Sequence, residues 1–274
     1  MRKKKPVRTI TIASGKGGVG KTNVVANLAI ALRKLGKEVM ILDADLGLSN
    51  VDILLQLAPR FNIQHVISGE KRLSEIVVEG PYGVKVLPAS SGVQELTNLD
   101  SLQRVRLLDE FEAYDKEIDI LLIDTSAGIS ENVAFFCVAS REIVIITTPE
   151  PTAITDAYAL IKVLFTRYQE KEFQILVNSA RNQADARDVY RKLAAAADRF
   201  LNVSLDYLGY LPYDKSVHDA VRAQRPFIDM FPNKPASLAI EELALRFLEP
   251  AKTEAKGGLQ LFIGNIFDMA EEVR

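Results

Sequence analysis

A short β-branched run, Val7 to Ile12, leads into Gly15-Lys16-Gly17-Gly18-Val19-Gly20-Lys21-Thr22, and a helix-forming stretch, Asn23 to Leu35, follows. Strand, glycine loop and helix in that order predict a βα unit whose turn is the G-x-x-x-x-G-K-[ST] phosphate cradle. Glycines without Cβ let successive backbone N–H groups converge on phosphate oxygens, and the helix N-terminus adds partial positive charge. Lys21 is suited to neutralise β- and γ-phosphates, and the Thr22 hydroxyl to sit on Mg²⁺. A glycine-rich turn with an incidental lysine is the plainer alternative, and the strand–loop–helix context disfavours it. The loop therefore points to a nucleoside triphosphate.

The second lysine narrows the class. Lys16 stands directly after the first glycine, where an ordinary phosphate loop requires no charge. It either extends into solvent or acts on a neighbour, in the manner of a cation supplied in trans to transition-state charge.

Apolar runs alternate with helical periodicity along the rest of the chain. Strands are expected at Val7–Ala13, Glu38–Leu42, Val84–Leu87, Ile118–Ile123, Ile143–Thr147, Phe173–Val177 and Leu205–Tyr210. Helices are expected at Thr22–Lys34, Ser101–Tyr114, Asn132–Ala139, Thr152–Glu170 and Asp185–Phe200. Apolar strands separated by helices predict a three-layer α/β fold, a mainly parallel twisted sheet covered by helices, with ligands beyond the carboxyl ends of the strands. At 274 residues and 48% hydrophobic content the chain can bury a substantial core, and one large α/β domain over residues 1–250 is the expectation. The net charge of -2 gives no whole-protein attraction to nucleic acid. One cysteine, Cys137, excludes an internal disulfide and suits a reducing cytoplasm. His65 and His218 lack metal-ligand companions and read as surface or packing residues.

Two acidic stretches sit at strand ends. Asp43-Ala44-Asp45-Leu46-Gly47 follows the second strand, and carboxylates spaced by one residue can both turn towards a ligand. One would orient the Mg²⁺ shell or the loop, the other an attacking water; an Asx-rich turn is the plainer alternative. Asp124-Thr125-Ser126-Ala127-Gly128-Ile129 ends the fourth strand, where a carboxylate grips Mg²⁺ directly or through water. Asn178 and the loop Pro212-Tyr213-Asp214 stand at two further strand ends, where an amide and a rigid loop could hold a base, although on the residues alone a plain turn is the favoured reading of each.

The G-K-G-G-V-G-K-T loop resembles the deviant phosphate loop of the MinD/ParA superfamily, and the stretches after Asp43 and Asp124 resemble its two switches. The resemblance spans Thr9 to about Ile266 and implies a slow, Mg²⁺-dependent ATPase that dimerises face to face around two ATP molecules. It implies that Lys16 reaches into the opposite subunit, that Asp45 is the catalytic, water-orienting aspartate, and that Asp43 supports Mg²⁺ and switch geometry. Asn178, Pro212, Tyr213 and Asp214 would then line the adenine pocket, and Glu150 would meet nucleotide at the dimer face. Within the superfamily the chain is most similar to the FlhG/FleN (YlxH) regulators of flagellar number and placement, on Asp43–Asp52 and on Thr148-Pro149-Glu150-Pro151-Thr152-Ala153-Ile154-Thr155-Asp156-Ala157-Tyr158. Such proteins act through partners such as an FlhF-type GTPase or a FleQ-type transcription activator. The glutamine-containing segment with which many FlhG proteins stimulate that GTPase is not seen before the first strand, where only Met1 to Pro6 stand, so the activator is the expected partner.

Residues 251–274 form a polar linker and an amphipathic stretch. Leu259, Phe262, Ile263, Ile266, Ala270 and Val273 follow helical spacing, and Phe267 and Met269 widen the apolar face. On the residues alone that face could dock on its own domain, meet a partner or lie in a bilayer interface. The family resemblance favours the membrane, which implies a cytoplasmic protein peripheral to the inner face of the cell membrane in its ATP state. The basic run Arg2-Lys3-Lys4-Lys5 reads as a solvated tail. Two other classes remain in view: a ParA-like DNA-partitioning or MinD-like division-site ATPase, and an iron–sulfur carrier. A lone cysteine cannot supply the paired ligation of the last.

Overall fold

In the computed structural model, residues 7–45, 51–88, 101–114, 118–249 and 264 are described. They build, in order, β1 (Arg8–Ser14), α1 (Lys21–Lys34), β2 (Val39–Ala44), three short helices α2 (Val51–Leu54), α3 (Ile63–Ile67) and α4 (Leu73–Ile76), β3 (Val78–Glu79), β4 (Lys85–Pro88) and α5 (Ser101–Tyr114). The second half contains β5 (Ile120–Ala127), α6 (Glu131–Ala139), β6 (Glu142–Thr147), α7 (Pro151–Tyr168), β7 (Glu172–Ala180), α8 (Gln183–Phe200), β8 (Ser204–Pro212), α9 (Lys215–Arg222), α10 (Phe227–Met230) and α11 (Pro235–Arg246).

The strands join in one eight-stranded sheet of order β3-β4-β2-β5-β1-β6-β7-β8, parallel except for the β3–β4 pair. Alternation along the central strands sorts side chains to two buried faces, as a parallel sheet requires. Ile10, Ile12, Ile41, Leu122, Val144 and Leu176 meet α1 and α11 on one face. On the other, Leu42, Leu121 and Ile123 pack under α5 and α6, while Ile145, Ile175 and Val177 pack under α6, α7 and α8. The architecture is the expected three-layer α/β sandwich.

This connectivity positions the site. From central β1 the chain moves first towards β2 and β4, and later towards β6, β7 and β8, so the strand order reverses around β1. The crevice at such a reversal, outside the carboxyl ends of the strands, is where open α/β sheets take ligands. α1 is buried from Val24 to Leu32 because the sheet covers one side and α11 the other, which makes the start of α1 a rigid platform.

The seven expected strands and five expected helices are all found, with shifted ends. The helix expected to reach Glu170 stops at Tyr168, because Gln169 turns into the left-handed region at φ 58°. That expected from Asp185 begins at Gln183, because the Asn182 side chain caps it by accepting from the Asp185 N–H at 2.9 Å. β3, the short helices α2, α3, α4 and α10, and the helices α9 and α11 were not foreseen. Apart from Gly264, the linker and amphipathic stretch, including Leu259, Phe262, Ile263, Ile266 and Phe267, lie outside the described residues, as do Leu46 to Asn50 of the first acidic stretch.

Candidate nucleotide site

The glycine loop links the end of β1 to the first turn of α1, with Gly18 at φ 78° and Gly20 at φ 91°. These are left-handed positions that a β-carbon would strain. A different constraint acts at Gly15, where a β-carbon would lie 2.0 Å from the Asp156 carbonyl oxygen of α7. Gly15 thus lets the loop lie directly on a neighbouring helix backbone. Inside the loop, Lys21 Nζ donates to Ser14 Oγ at 2.9 Å, and Ser14 Oγ donates to the Lys16 carbonyl at 2.8 Å. Ser14 was not foreseen as a site residue, although its place as the last residue of β1 is the signal that could have found it.

Above the loop opens a cleft of about 370 Å³ whose lining includes Gly17, Gly18, Gly20, Lys21, Thr22 and Asp45. Ala127 of the second acidic stretch also lines it, as do Asn23, Ile53, Leu54, Val221 and Gln224, which the sequence reading missed. The last two come from α9 and the turn after it, and Ile53 is half exposed. Asp45 directly follows β2, with its N–H donating to Asp43 Oδ1 at 3.2 Å. Asp43 is buried and stands in register with Asp124 of β5.

Asp124 is fully buried, and neither carboxylate oxygen finds a hydrogen bond of normal length. A buried carboxylate in that condition is costly. Burial pushes its pKa up to about 7; the Thr22 hydroxyl and Lys21 nearby act against the rise, while Asp43 and Asp45 add to it. Lys21 is 8% exposed, and burial lowers its pKa against the pull of Asp124 and Asp45. The cleft thus has a desolvated cation beside the loop and a bare carboxylate beneath it. Thr22, Asp43 and Asp124 are oxygen donors suited to Mg²⁺, which needs only one or two protein carboxylates when phosphates and water supply the rest.

A pH dependence follows. The folded chain holds the Asp124 proton more tightly than an unfolded chain, where the ordinary value is 3.8. This contribution to stability is therefore lost as pH rises towards and through about 7. The loss is expected to continue between pH 6 and pH 8, on either side of that value. Thermal unfolding in EDTA should show the protein less stable at pH 8 than at pH 6, and Asp124→Asn should remove that difference.

The remaining candidate residues separate. Lys16 folds back on its own chain, where Nζ donates to Glu150 Oε2 at 2.6 Å and to Thr152 Oγ1 at 2.9 Å. Glu150 is the residue before α7, and Pro151 opens that helix. Asn178 reaches the phosphate loop, its Nδ2 donating to the Val19 carbonyl at 2.7 Å. Pro212 pairs with Ala180, bringing the ends of β7 and β8 together, and Tyr213 is largely exposed beside His218. Asp214 instead caps α9. Its Oδ1 accepts from the Ser216 N–H at 2.9 Å and the Ser216 hydroxyl at 2.7 Å, and its Oδ2 from the Ala236 N–H at 3.2 Å. Partial burial works against its charge, but these bonds outweigh it and hold the carboxyl below its usual range. Its visible work is to fix the loop. In the second acidic stretch, Gly128 takes φ 105° and its N–H donates to the Ser14 carbonyl at 2.9 Å, tying that loop to the end of β1.

A parallel sheet with a phosphate loop at its strand-order reversal and an orphaned aspartate below defines a P-loop NTPase. The family model described as "ParA: NUBPL iron-transfer P-loop NTPase" matches residues 5–248, and the chain belongs to this ParA/MinD family of ATPases. It is 43% identical over 259 residues to the antiactivator FleN of Pseudomonas aeruginosa, covering 94% of this chain and 92% of that one. It is 34% identical over 258 residues to the flagellum site-determining protein YlxH of Helicobacter pylori, covering 92% and 87%. Among solved structures it resembles the septum site-determining protein MinD of Pyrococcus horikoshii complexed with Mg-ADP. That match has a TM-score of 0.67 and 25% identity, over 88% of this chain and 96% of that one. The iron transfer in the family description finds no paired thiols here, since Cys137 is the sole cysteine and lies buried in α6.

Proposed function

We propose that the chain is an ATP-dependent dimerising switch that hydrolyses ATP slowly and regulates flagellar number or placement through protein partners from the membrane surface. The observation that carries the reading is the bare, buried Asp124 beneath a phosphate loop whose lysine is itself desolvated. That site is incomplete in charge until it receives a metal-bound triphosphate. The names of the relatives, an antiactivator and a flagellum site-determining protein, support the flagellar role.

In this reading the N–H groups of Gly15 to Thr22 and the Lys21 ammonium bind the phosphates, and Thr22, Asp43 and Asp124 hold Mg²⁺. When bound, Mg²⁺ would neutralise charge on the phosphate oxygens. Asp45 orients the attacking water at the mouth of the cleft. Lys16 leaves Glu150 and Thr152 and enters the partner subunit's site, which frees Glu150 to meet nucleotide at the dimer face. Asn178 and the Pro212-Tyr213-Asp214 loop hold the adenine. The stretch from Leu259 to Phe267 lays its apolar face on the membrane once ATP has paired the subunits, and the partner is a FleQ-type activator or an FlhF-type GTPase. Among the described residues no helix is long and apolar enough to cross a membrane.

Sedimentation with anionic liposomes and, in parallel, with non-specific duplex DNA tests the reading. Sedimentation with liposomes in ATP but not ADP is expected. ATP-dependent binding to DNA with a steep salt dependence would instead mark a DNA-partitioning ATPase.

A further inference from the structure

We propose that Asn178 is a positioning residue for the phosphate loop: its amide fixes the Val19 carbonyl, and with it the Gly20 turn that opens α1. The inference rests on the reading of Gly15 to Thr22 as a triphosphate site and adds to it a strut reaching in from β7.

Two bonds define the strut. Asn178 Nδ2 donates to the Val19 carbonyl at 2.7 Å, across a sequence separation of 159 residues, and Asn178 Oδ1 accepts the Ser179 N–H at 2.8 Å. One backbone acceptor and one backbone donor thus settle which end of the amide faces the loop. The end of β7 that presents it is itself held. Ser179 is kept at φ 56°, a conformation unfavourable for a residue with a side chain, and the Tyr213 N–H donates to the Ala180 carbonyl at 2.8 Å.

On the loop side the fit is close. A β-carbon at Gly20 would lie 2.5 Å from Asn178 Nδ2, so the amide closes directly on the left-handed turn at Gly20. A loop that aims its N–H groups at an anion must turn its carbonyls outward, since an inward carbonyl would repel phosphate. At the first half of the loop Ser14 holds the Lys16 carbonyl, and Gly15 rests on α7. Asn178 performs the matching task at the second half. Its amide keeps a further N–H and lone pair for a base, so a loss of ATP affinity alone would not separate the two roles.

A base-free probe separates them. Isothermal titration with Mg²⁺-tripolyphosphate and with Mg²⁺-ATP is run on the full chain as wild type, Asn178→Ala and Asn178→Asp. Both variants should lose at least tenfold in tripolyphosphate affinity, the aspartate more because its oxygen opposes the Val19 carbonyl. Without ligand, amide exchange should quicken in the peptide covering Ser14 to Asn23 and stay unchanged in α7 and α8. That local readout decides the matter if tripolyphosphate binds too weakly, and the uncharged alanine variant suffices if the aspartate one does not fold. Wild-type tripolyphosphate affinity and wild-type exchange in Asn178→Ala, with only ATP binding impaired, would overturn the strut and leave a base contact. A wild-type protein that binds no ATP would instead remove the triphosphate reading beneath it.

Discussion

Lys21→Ala is expected to weaken ATP binding by at least a hundredfold, about 2.7 kcal/mol. The lysine is 8% exposed, its Nζ is anchored to Ser14 Oγ, and the nearby charges acting on it are Asp124 and Asp45. It already bears a desolvation cost, so a phosphate arriving beside it gains a strong charge-assisted bond. Truncation removes that cation and leaves Asp124 and Asp45 facing the incoming anion. The backbone of the loop would remain, because its turns depend on Gly18 and Gly20 and on contacts with α7 and Asn178. Calorimetry with ATP and Mg²⁺ reads the result, with the unfolding midpoint as a check on folding. A loss smaller than tenfold would show that Lys21 is not the principal phosphate cation.

Asp45→Ala should do the opposite to binding and hydrolysis. ATP affinity should stay within a few-fold of wild type, while kcat falls by roughly a hundredfold or more, the range associated with loss of a positioned acid–base group. Asp45 stands at the end of β2 on the lining of the cleft, braced through its N–H by Asp43. A carboxylate there faces the place where a triphosphate would end, without being one of the groups that fix the loop. Single-turnover hydrolysis separates the chemical step from binding. Turnover at the native rate would move the water-orienting role to another residue.

What the sequence disclosed and what it hid divide along physical lines. β1, the glycine loop and α1 were legible because a local pattern of β-branched residues, glycines and a helical run specifies them without help from the rest of the chain. Asp43 and Asp124 were legible as strand-end carboxylates, and their register across β2 and β5 agrees with that placement. β3 was not, being two residues long and paired only at the sheet edge. α9 and α11 were missed because charged and polar residues dilute their apolar spacing; α11 is held by packing against α1 and β8, and α9 packs against α10. The contacts of Lys16 with Glu150 and of Asn178 with Val19 join residues 134 and 159 positions apart. Only the fold brings them together. The cap that Asp214 places on Ser216, and its bond to the Ala236 N–H, likewise become visible only in the folded chain.

The central claim is that ATP joins two copies of this chain, each contributing Lys16 to the other. Sedimentation equilibrium of the Asp45→Ala protein, in Mg²⁺ with either ATP or ADP, tests it most directly. The account predicts twice the mass of the 274-residue chain in ATP and a single copy in ADP, with Lys16→Ala returning the ATP sample to a single copy. A single copy in saturating ATP would contradict it.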